Sequence, residues 1–134
     1  MRAIAAVLLL ACTSAWGQGD YPNKPVRMVV SFAAGGISDV LARAIAIPLS
    51  RQLGQQVIVD NRPGAGTTIA ADHIARAAPD GYTIWLQDIT THAINVALYA
   101  KLPYDSIKDF AYIAMVASTP VSYTHLTLPT TERV

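Results

Sequence analysis

The stretch Val26-Arg27-Met28-Val29-Val30-Ser31-Phe32, followed by Ala33-Ala34-Gly35-Gly36-Ile37-Ser38, contains the pattern that decides the fold. Its first half carries apolar residues on both alternating faces, which is typical of a strand buried in a parallel sheet. Its second half is a loop of small residues. Either Ser38 or Asp39 can cap the helix that we expect to follow this loop.

The predicted helix has one apolar face, because apolar residues recur at four-residue spacing from Leu41 to Leu53. Pro48 lies inside this stretch and lacks a backbone N–H, so we expect it to bend or interrupt the helix. Gly54 suits the first position beyond the helix, where a left-handed conformation is common.

The same order of strand, loop and helix recurs along the chain. The further predicted elements are a strand at 57–59, a helix from 67 or 68 to 77, a strand at 82–86, a helix at 93–100 and a strand at 112–116. Such alternation predicts an α/β fold with a mostly parallel sheet flanked by helices. Loops 33–38, 60–67 and 87–92 then follow the carboxyl ends of strands, where ligands bind such sheets.

Composition narrows the classes of protein. With 134 residues the chain has the size of one domain, and 52% apolar against 14% charged residues excludes disorder as its main state. A net charge of +1 gives no strong field for nucleic acid. Cys12 is the only cysteine, so the chain has no internal disulfide and no zinc site built from several cysteines.

Chemical motifs are few. No nucleophile elbow, phosphate-binding Walker loop or paired-carboxylate motif occurs, so these patterns single out no catalytic residue. Asp88 and His92 lie four residues apart, but no third ligand follows at a useful spacing, so we expect no metal site.

The glycine-rich loops suggest a binding function. The first amides of a helix have no partner within the helix and lie at the positive end of its dipole. Two such helix starts at one sheet edge would cradle an anion such as a carboxylate or phosphate. Residue composition alone leaves open a purely structural use, in which Gly35-Gly36 and Gly64–Gly66 only form tight turns.

A dinucleotide-binding alternative rests on Gly64-Ala65-Gly66-Thr67-Thr68-Ile69 and on Asp88, which could hold a ribose. The match to the dinucleotide fingerprint is partial, because Ile69 stands in the place of its third glycine. The alternative function is therefore that of a fragment of a dinucleotide-binding oxidoreductase.

The amino terminus predicts export. Residues 1–17 combine a positive start, an apolar stretch and Ala15-Trp16-Gly17, which suits signal peptidase cleavage before Gln18. A second route, lipidation at Cys12 after Leu9-Leu10-Ala11, is the alternative. We expect an exported protein in either case.

Several motifs occur together in one order between Tyr21 and Pro120. They are 21–27 (YPNKPVR), 32–39 (FAAGGISD), 53–55 (LGQ), 60–66 (DNRPGAG), 78–83 (APDGYT), 91–95 (THAIN), 102–105 (LPYD) and 108–110 (KDF). Together they resemble the substrate-binding receptors of tripartite tricarboxylate transporters, the Bug-type periplasmic proteins.

The resemblance implies lobe one of a two-lobed, hinged receptor of the type II periplasmic-binding-protein (Venus flytrap) fold. The resemblance also implies a protein that has no enzymatic activity and no cofactor. Its implied role is to deliver a small organic acid to membrane transporter subunits. The resemblance assigns ligand contacts to residues of three loops: Ala34, Gly35, Gly36, Ser38, Asp39, Gly66, Thr67, Thr90 and Thr91. We interpret Asp39 as a helix cap or water holder, because a bare carboxylate would repel an anionic ligand.

Two departures from the family pattern lead to an expected domain organisation. The chain is about half the length that two lobes require, so residues 18–120 are predicted to be a truncated N-terminal lobe. Residues 121–134 do not continue the family pattern, and we interpret them as a non-family tail, foreign sequence fused to a truncated gene. A divergent loop is the alternative.

Overall fold

The computed structural model describes residues 21–118 of the chain. Its helices and strands are β1 (Val26–Val30), α1 (Ile37–Leu53), β2 (Val57–Asn61), a 3₁₀ turn (Ala65–Thr67), α2 (Thr68–Ala75), β3 (Thr83–Leu86), a π-helical turn (Thr90–Ile94) and α3 (Asn95–Leu98). The three strands form one parallel sheet in the order β2-β1-β3. The predicted α/β fold with a parallel sheet is confirmed.

Two local predictions about α1 differ from the structure. The helix starts after Gly36, and neither Ser38 nor Asp39 is its N-cap residue. Pro48 lies within the continuous helix Ile37–Leu53, so the expected interruption is absent, whereas the expected bend stays a prediction. The expected end of the helix is confirmed, because Gly54 follows its last residue in the left-handed conformation, with φ of 66°.

One face of the sheet carries an apolar core. Val26, Met28 and Val30 of β1 are at most 4% exposed and form a cluster with Ala42 and Ala46 of α1. The small side chains of these alanines let the helix backbone approach the sheet closely. The contact fixes α1, and with it the loop that precedes α1, against the central strand.

The other end of the sheet carries a polar layer. Ser31, Thr67, Thr91 and Asn95 are buried, at 5% exposure or less. The indole Nε1 of Trp85 donates a hydrogen bond of 2.8 Å to Ser31 Oγ, which ties β3 to the end of β1. Buried polar groups are costly unless they are hydrogen-bonded, so this layer specifies one arrangement of the loops.

The carboxyl-terminal part of the described chain differs most from expectation. Residues 112–116 were predicted as a fourth strand, but they are exposed and form no strand. The helix predicted at 93–100 starts earlier, as the π-helical turn, and its α-helical part is only Asn95–Leu98. An apolar run alone does not make a strand, because a strand also needs a hydrogen-bonded neighbour.

Within residues 21–118, no helix combines the length and the apolar character needed to cross a membrane. The predicted signal peptide, the alternative lipidation at Cys12 and the tail at 121–134 lie outside the described residues.

Candidate functional site

Three loops meet at one edge of the sheet, as predicted. Since β1, β2 and β3 are parallel, the segments that follow them all leave the sheet at its carboxyl edge. The first two segments lead directly into α1 and α2. The site is therefore built from the residues between each strand and the following helix.

Asp39 holds the first loop. Its Oδ2 accepts a hydrogen bond of 2.8 Å from the Gly35 amide and one of 3.0 Å from Arg43 Nε. The hydrogen bond from Arg43, followed by that from Gly35, lowers the pKa of Asp39 to about 2. Asp39 is only 3% exposed, so an ionised carboxylate lies beneath the loop and acts on its backbone. The prediction that Asp39 also holds a water stays a prediction.

Asn61 joins the first loop to the second strand. Its Nδ2 donates a hydrogen bond of 3.0 Å to the carbonyl oxygen of Phe32, and its Oδ1 lies 3.4 Å from Arg43 Nη2. The ends of β1 and β2 are thus fixed to the same arginine that pairs with Asp39. Sequence analysis missed this role, because the partners are distant along the chain.

A second network joins the loops after β2 and β3. The hydroxyl oxygens of Thr67 and Thr91 are 2.8 Å apart, and Thr91 is fully buried. Asn95 Nδ2 donates to the Gly66 carbonyl at 2.6 Å and to Thr67 Oγ1 at 3.3 Å. Sequence analysis placed Asn95 only within a motif and assigned it no role.

Several of the predicted ligand residues use their amides inside the protein. The Gly35 amide donates to Asp39, the Gly36 amide donates to the Ala33 carbonyl, the Thr67 amide donates to the Gly64 carbonyl and the Thr90 amide donates to Asp88 Oδ1. These hydrogen bonds shape the loops. The residues concerned are therefore placed to support a site, and their amides do not face an anion unpartnered.

Other polar groups at the same edge form no hydrogen bond within the described residues. Within residues 21–118, the amides of Ala34, Ile37, Ser38 and Gly66 have no hydrogen-bond partner. The Ser38 and Thr90 hydroxyls form no hydrogen bond within residues 21–118, since the bond of Thr90 to Asp88 is donated by its backbone amide. Ile37 was not predicted. The signal for it was available, because the first amide of a helix is free wherever the helix begins.

The cations around these loops are already paired. Arg43 Nε lies 3.0 Å from Asp39 Oδ2, and Arg62 Nε lies 2.9 Å from Asp60 Oδ2. Burial lowers the pKa of His92, in the third loop, which favours the neutral form of its ring. An anion at this edge would therefore be held by amides and hydroxyls rather than by an opposite charge.

His92 is packed among aromatic rings. Its ring centroid lies between 5.2 and 5.5 Å from those of Trp85, Phe110 and Tyr112, and its Nδ1 is 3.0 Å from Tyr112 Oη. A cavity of about 350 Å³ adjoins it. None of the predicted ligand residues lines this cavity. In the described part of the chain, no cluster of three His, Cys, Asp or Glu residues could hold a metal.

In this parallel sheet, the loops at one edge lead into helices and carry amides without a partner in the described residues. Such an arrangement is typical of small-molecule-binding domains of the α/β class. The sequence profile of the family described as "Tripartite tricarboxylate transporter family receptor" matches residues 41–129, more than half of the chain. The chain belongs to this family, which confirms the resemblance inferred from its motifs.

Individual relatives agree with the family. A protein from the TAR-I ttuE-ttuC' intergenic region of Agrobacterium vitis is 42% identical over 120 residues, and protein BugT of Bordetella pertussis is 40% identical over 102 residues. These matches cover 87% and 75% of this chain, and 34% and 31% of the relatives. The chain spans about a third of the length of the relatives it matches.

Solved structures show the same fold. MatC from Rhodopseudomonas palustris, with bound malate, is 44% identical with a TM-score of 0.64, over 67% of this chain and 31% of MatC. Another R. palustris protein, solved with adipate, is 41% identical with a TM-score of 0.62, over 64% of this chain and 29% of its own. The family is one of receptors, and a protein from Polaromonas described as a TctC solute binding protein is 34% identical with a TM-score of 0.54, over 61% of this chain and 29% of its own. The expectation of a non-enzyme is confirmed by these matches.

The dinucleotide-binding alternative is wrong for this chain. Its family is one of receptors and not of oxidoreductases.

Gly66 offers a test of the packing of the second loop. Gly66 and Gly54 have φ of 60° and 66°, but a Cβ would lie 2.9 Å from Tyr99 Oη at position 66 and would meet nothing within 4 Å at position 54. We expect Gly54→Ala to lower the free energy of unfolding by about 1–2 kcal/mol, the cost of a left-handed alanine, and Gly66→Ala to lower it by about 1 kcal/mol more. Urea denaturation measures both, and equal losses would contradict the packing described.

Asp39 offers a test of the first loop. Because its pKa is lowered to about 2, its charge stabilises the fold fully above the ordinary value of 3.8, and this contribution is lost as pH falls through about 2. We expect Asp39→Asn to lower the urea midpoint at pH 5–7 by a constant amount, and the difference from the unsubstituted chain to shrink between about pH 4 and pH 2.

A matched control for Asp39 is Asp72, which forms the same kind of ion pair with Arg76 four residues later, on α2. The Asp72 side chain is 31% exposed against 5% for Asp39, so Asp72→Asn is expected to have the smaller effect at pH 7. Equal effects of the two substitutions would show that the hold of Asp39 on the first loop contributes nothing.

Proposed function

We propose that this chain captures a small organic acid by its carboxylate, as part of a periplasmic receptor that serves a tripartite tricarboxylate transporter. One observation carries the proposal. In a chain of this receptor family, two loops at the same sheet edge lead into helices, and both have amides without a partner within residues 21–118. The signal peptide at 1–17 and delivery to membrane transporter subunits complete the proposal.

The chemistry of a carboxylate suits the donors at this edge. Helix α1 has 17 residues, and its positive end lies at the amides of Ile37 and Ser38. A carboxylate has two oxygens that accept several N–H or O–H groups. The ion pair of Asp39 with Arg43 cancels the charge of Asp39 close to its source, so that it does not repel the ligand.

The relatives support this class of ligand. MatC was solved with malate and another R. palustris protein was solved with adipate, and both ligands are dicarboxylates. The two acids differ in chain length and share the terminal carboxylate. We infer that the carboxyl edge of the sheet, where the three loops meet, binds this shared carboxylate. Selection among acids then depends on contacts with the rest of the ligand.

The nine predicted residues divide into two roles in this proposal. Direct donors to the carboxylate are those with unspent groups: Ala34, Ser38, Gly66 and Thr90. Residues that shape the loops by internal hydrogen bonds are Gly35, Gly36, Asp39, Thr67 and Thr91. Ile37 joins the first group.

Malate is the ligand of choice for the test. The chain, labelled with ¹⁵N, is titrated with malate and separately with its neutral diamide, and amide chemical shifts are followed. We expect saturable shifts for malate at Ala34, Ile37, Ser38 and Gly66, and none for the diamide. Shifts confined to the surroundings of His92, or equal shifts for both compounds, would contradict the proposal.

Position 36 provides a matched pair of variants. Gly36 has φ of −74°, which any residue adopts, although a Cβ there would lie 3.3 Å from the Ala33 carbonyl oxygen. Gly36→Asn and Gly36→Asp add side chains of the same size, and only the second adds a negative charge beside the proposed carboxylate. We expect Gly36→Asp to bind malate at least about tenfold more weakly than Gly36→Asn, a difference of about 1.4 kcal/mol.

A further inference from the structure

The loop between β2 and α2 has an unusual backbone. Gly64, Ala65, Gly66 and Thr67 are four consecutive residues with positive φ, at 128°, 46°, 60° and 76°. Glycine adopts this region freely, but a β-branched residue such as Thr67 does so only when its surroundings force it. Contacts from elsewhere in the chain must therefore hold the loop.

Asn95 supplies those contacts. It is 2% exposed and lies at the first position of α3, directly after the π-helical turn. Its Nδ2 donates to the Gly66 carbonyl oxygen at 2.6 Å and to Thr67 Oγ1 at 3.3 Å. Both residues of the loop that it contacts have positive φ, and one of them is Thr67.

The π-helical turn holds Asn95 in place from the other side. Thr91, within this turn, shares a hydrogen bond of 2.8 Å with Thr67 Oγ1, and its carbonyl oxygen accepts one of 2.9 Å from Tyr104 Oη. Thr91 and Tyr104 are both buried. The turn that carries Asn95 is therefore held both by the second loop, through Thr67, and from outside that loop, through Tyr104.

The consequence concerns the Gly66 amide, which has no partner within residues 21–118. The Gly66 N–H shares its peptide unit with the Ala65 carbonyl, which accepts a hydrogen bond of 2.8 Å from Thr68 Oγ1, whereas Asn95 holds the next peptide unit through the Gly66 carbonyl. The two hydrogen bonds together restrain φ and ψ of Gly66, and with them the direction of its N–H. An amide that binds an anion must be aimed before the anion arrives if it is to bind without the cost of ordering a loop.

We propose that Asn95 is a positioning residue for carboxylate capture: its buried amide holds Gly66 and Thr67 in the left-handed conformation that aims the Gly66 N–H at the ligand. This inference rests on the proposed function for the ligand, although the hold on the loop does not. According to this proposal, the segment after β3 affects ligand binding because its Asn95 holds the loop after β2.

The test separates the two parts. In Asn95→Ala the Nδ2 donor is lost, and in Asn95→Asp a carboxylate oxygen faces the Gly66 carbonyl at the same place. The control is Asn23→Ala, which removes the side-chain hydrogen bond that Asn23 Oδ1 accepts from Tyr82 Oη, away from the three loops, and leaves the bond of the Asn23 backbone N–H in place. The readouts are the malate dissociation constant from amide shifts and the three-bond HN–Hα coupling of Thr67, which reports φ without ligand.

We expect both Asn95 variants to change the Thr67 coupling and to weaken malate binding by about tenfold or more, since both hydrogen bonds of Nδ2 with the second loop are lost. We expect Asn23→Ala to change neither readout. Unchanged coupling and malate binding within about twofold in a folded Asn95 variant would overturn the inference.

Two further outcomes are decided by the same experiment. If the unsubstituted chain shows no malate shift while the coupling changes in the variants, the proposed function fails and the hold on the loop stands. If the Asn95 variants do not fold, Asn95→Leu replaces them: it removes the Nδ2 donor and keeps a side chain of the same branched shape, and an unchanged Thr67 coupling in this variant overturns the inference.

Discussion

The parallel pairing of β1 with both of its neighbours is the constraint on which the site depends. Val26 pairs with Val57 on one side, and Arg27 pairs with Thr83 on the other. Parallel neighbours require a crossover between each pair of strands, so every strand ends at the same edge. The three loops meet for this reason, although the first and third are more than 50 residues apart in the chain.

At this edge the charged side chains form hydrogen bonds that shape the loops. The amides and hydroxyls without an internal partner are neutral groups. Asp39 with Arg43 shapes the first loop, and Asn95 with Thr67 and Thr91 shapes the second and third. A site of neutral donors binds a carboxylate through direction and number of hydrogen bonds. Such a site depends on the rigidity of its loops, which explains the buried polar layer beneath it.

How much could be predicted follows from the range of each interaction. The strand at Val26, the periodicity of α1 and the left-handed Gly54 are local patterns, and the sequence predicted them correctly. The order of elements was enough to place the three loops at one edge. The family resemblance rested on short motifs in a fixed order, and the comparisons confirmed it.

What could not be predicted depends on contacts between distant residues. Asn95 acts on Gly66 29 residues away, and no local pattern indicates this pairing. The N-cap of α1 was misplaced because Asp39 has a stronger use, its bonds to Gly35 and Arg43. Residues 112–116 are as apolar as a strand, but the described chain gives them no strand to pair with.

The central claim is that amides and hydroxyls at the carboxyl edge hold the ligand's carboxylate without an opposite charge. A crystal structure of the chain with malate tests it most directly. The account predicts a carboxylate within hydrogen-bond distance, about 3 Å, of the Ser38 and Gly66 amides, with the Asp39–Arg43 pair intact. A malate paired with Arg43 or Arg62, or seated in the cavity beside His92, would contradict it.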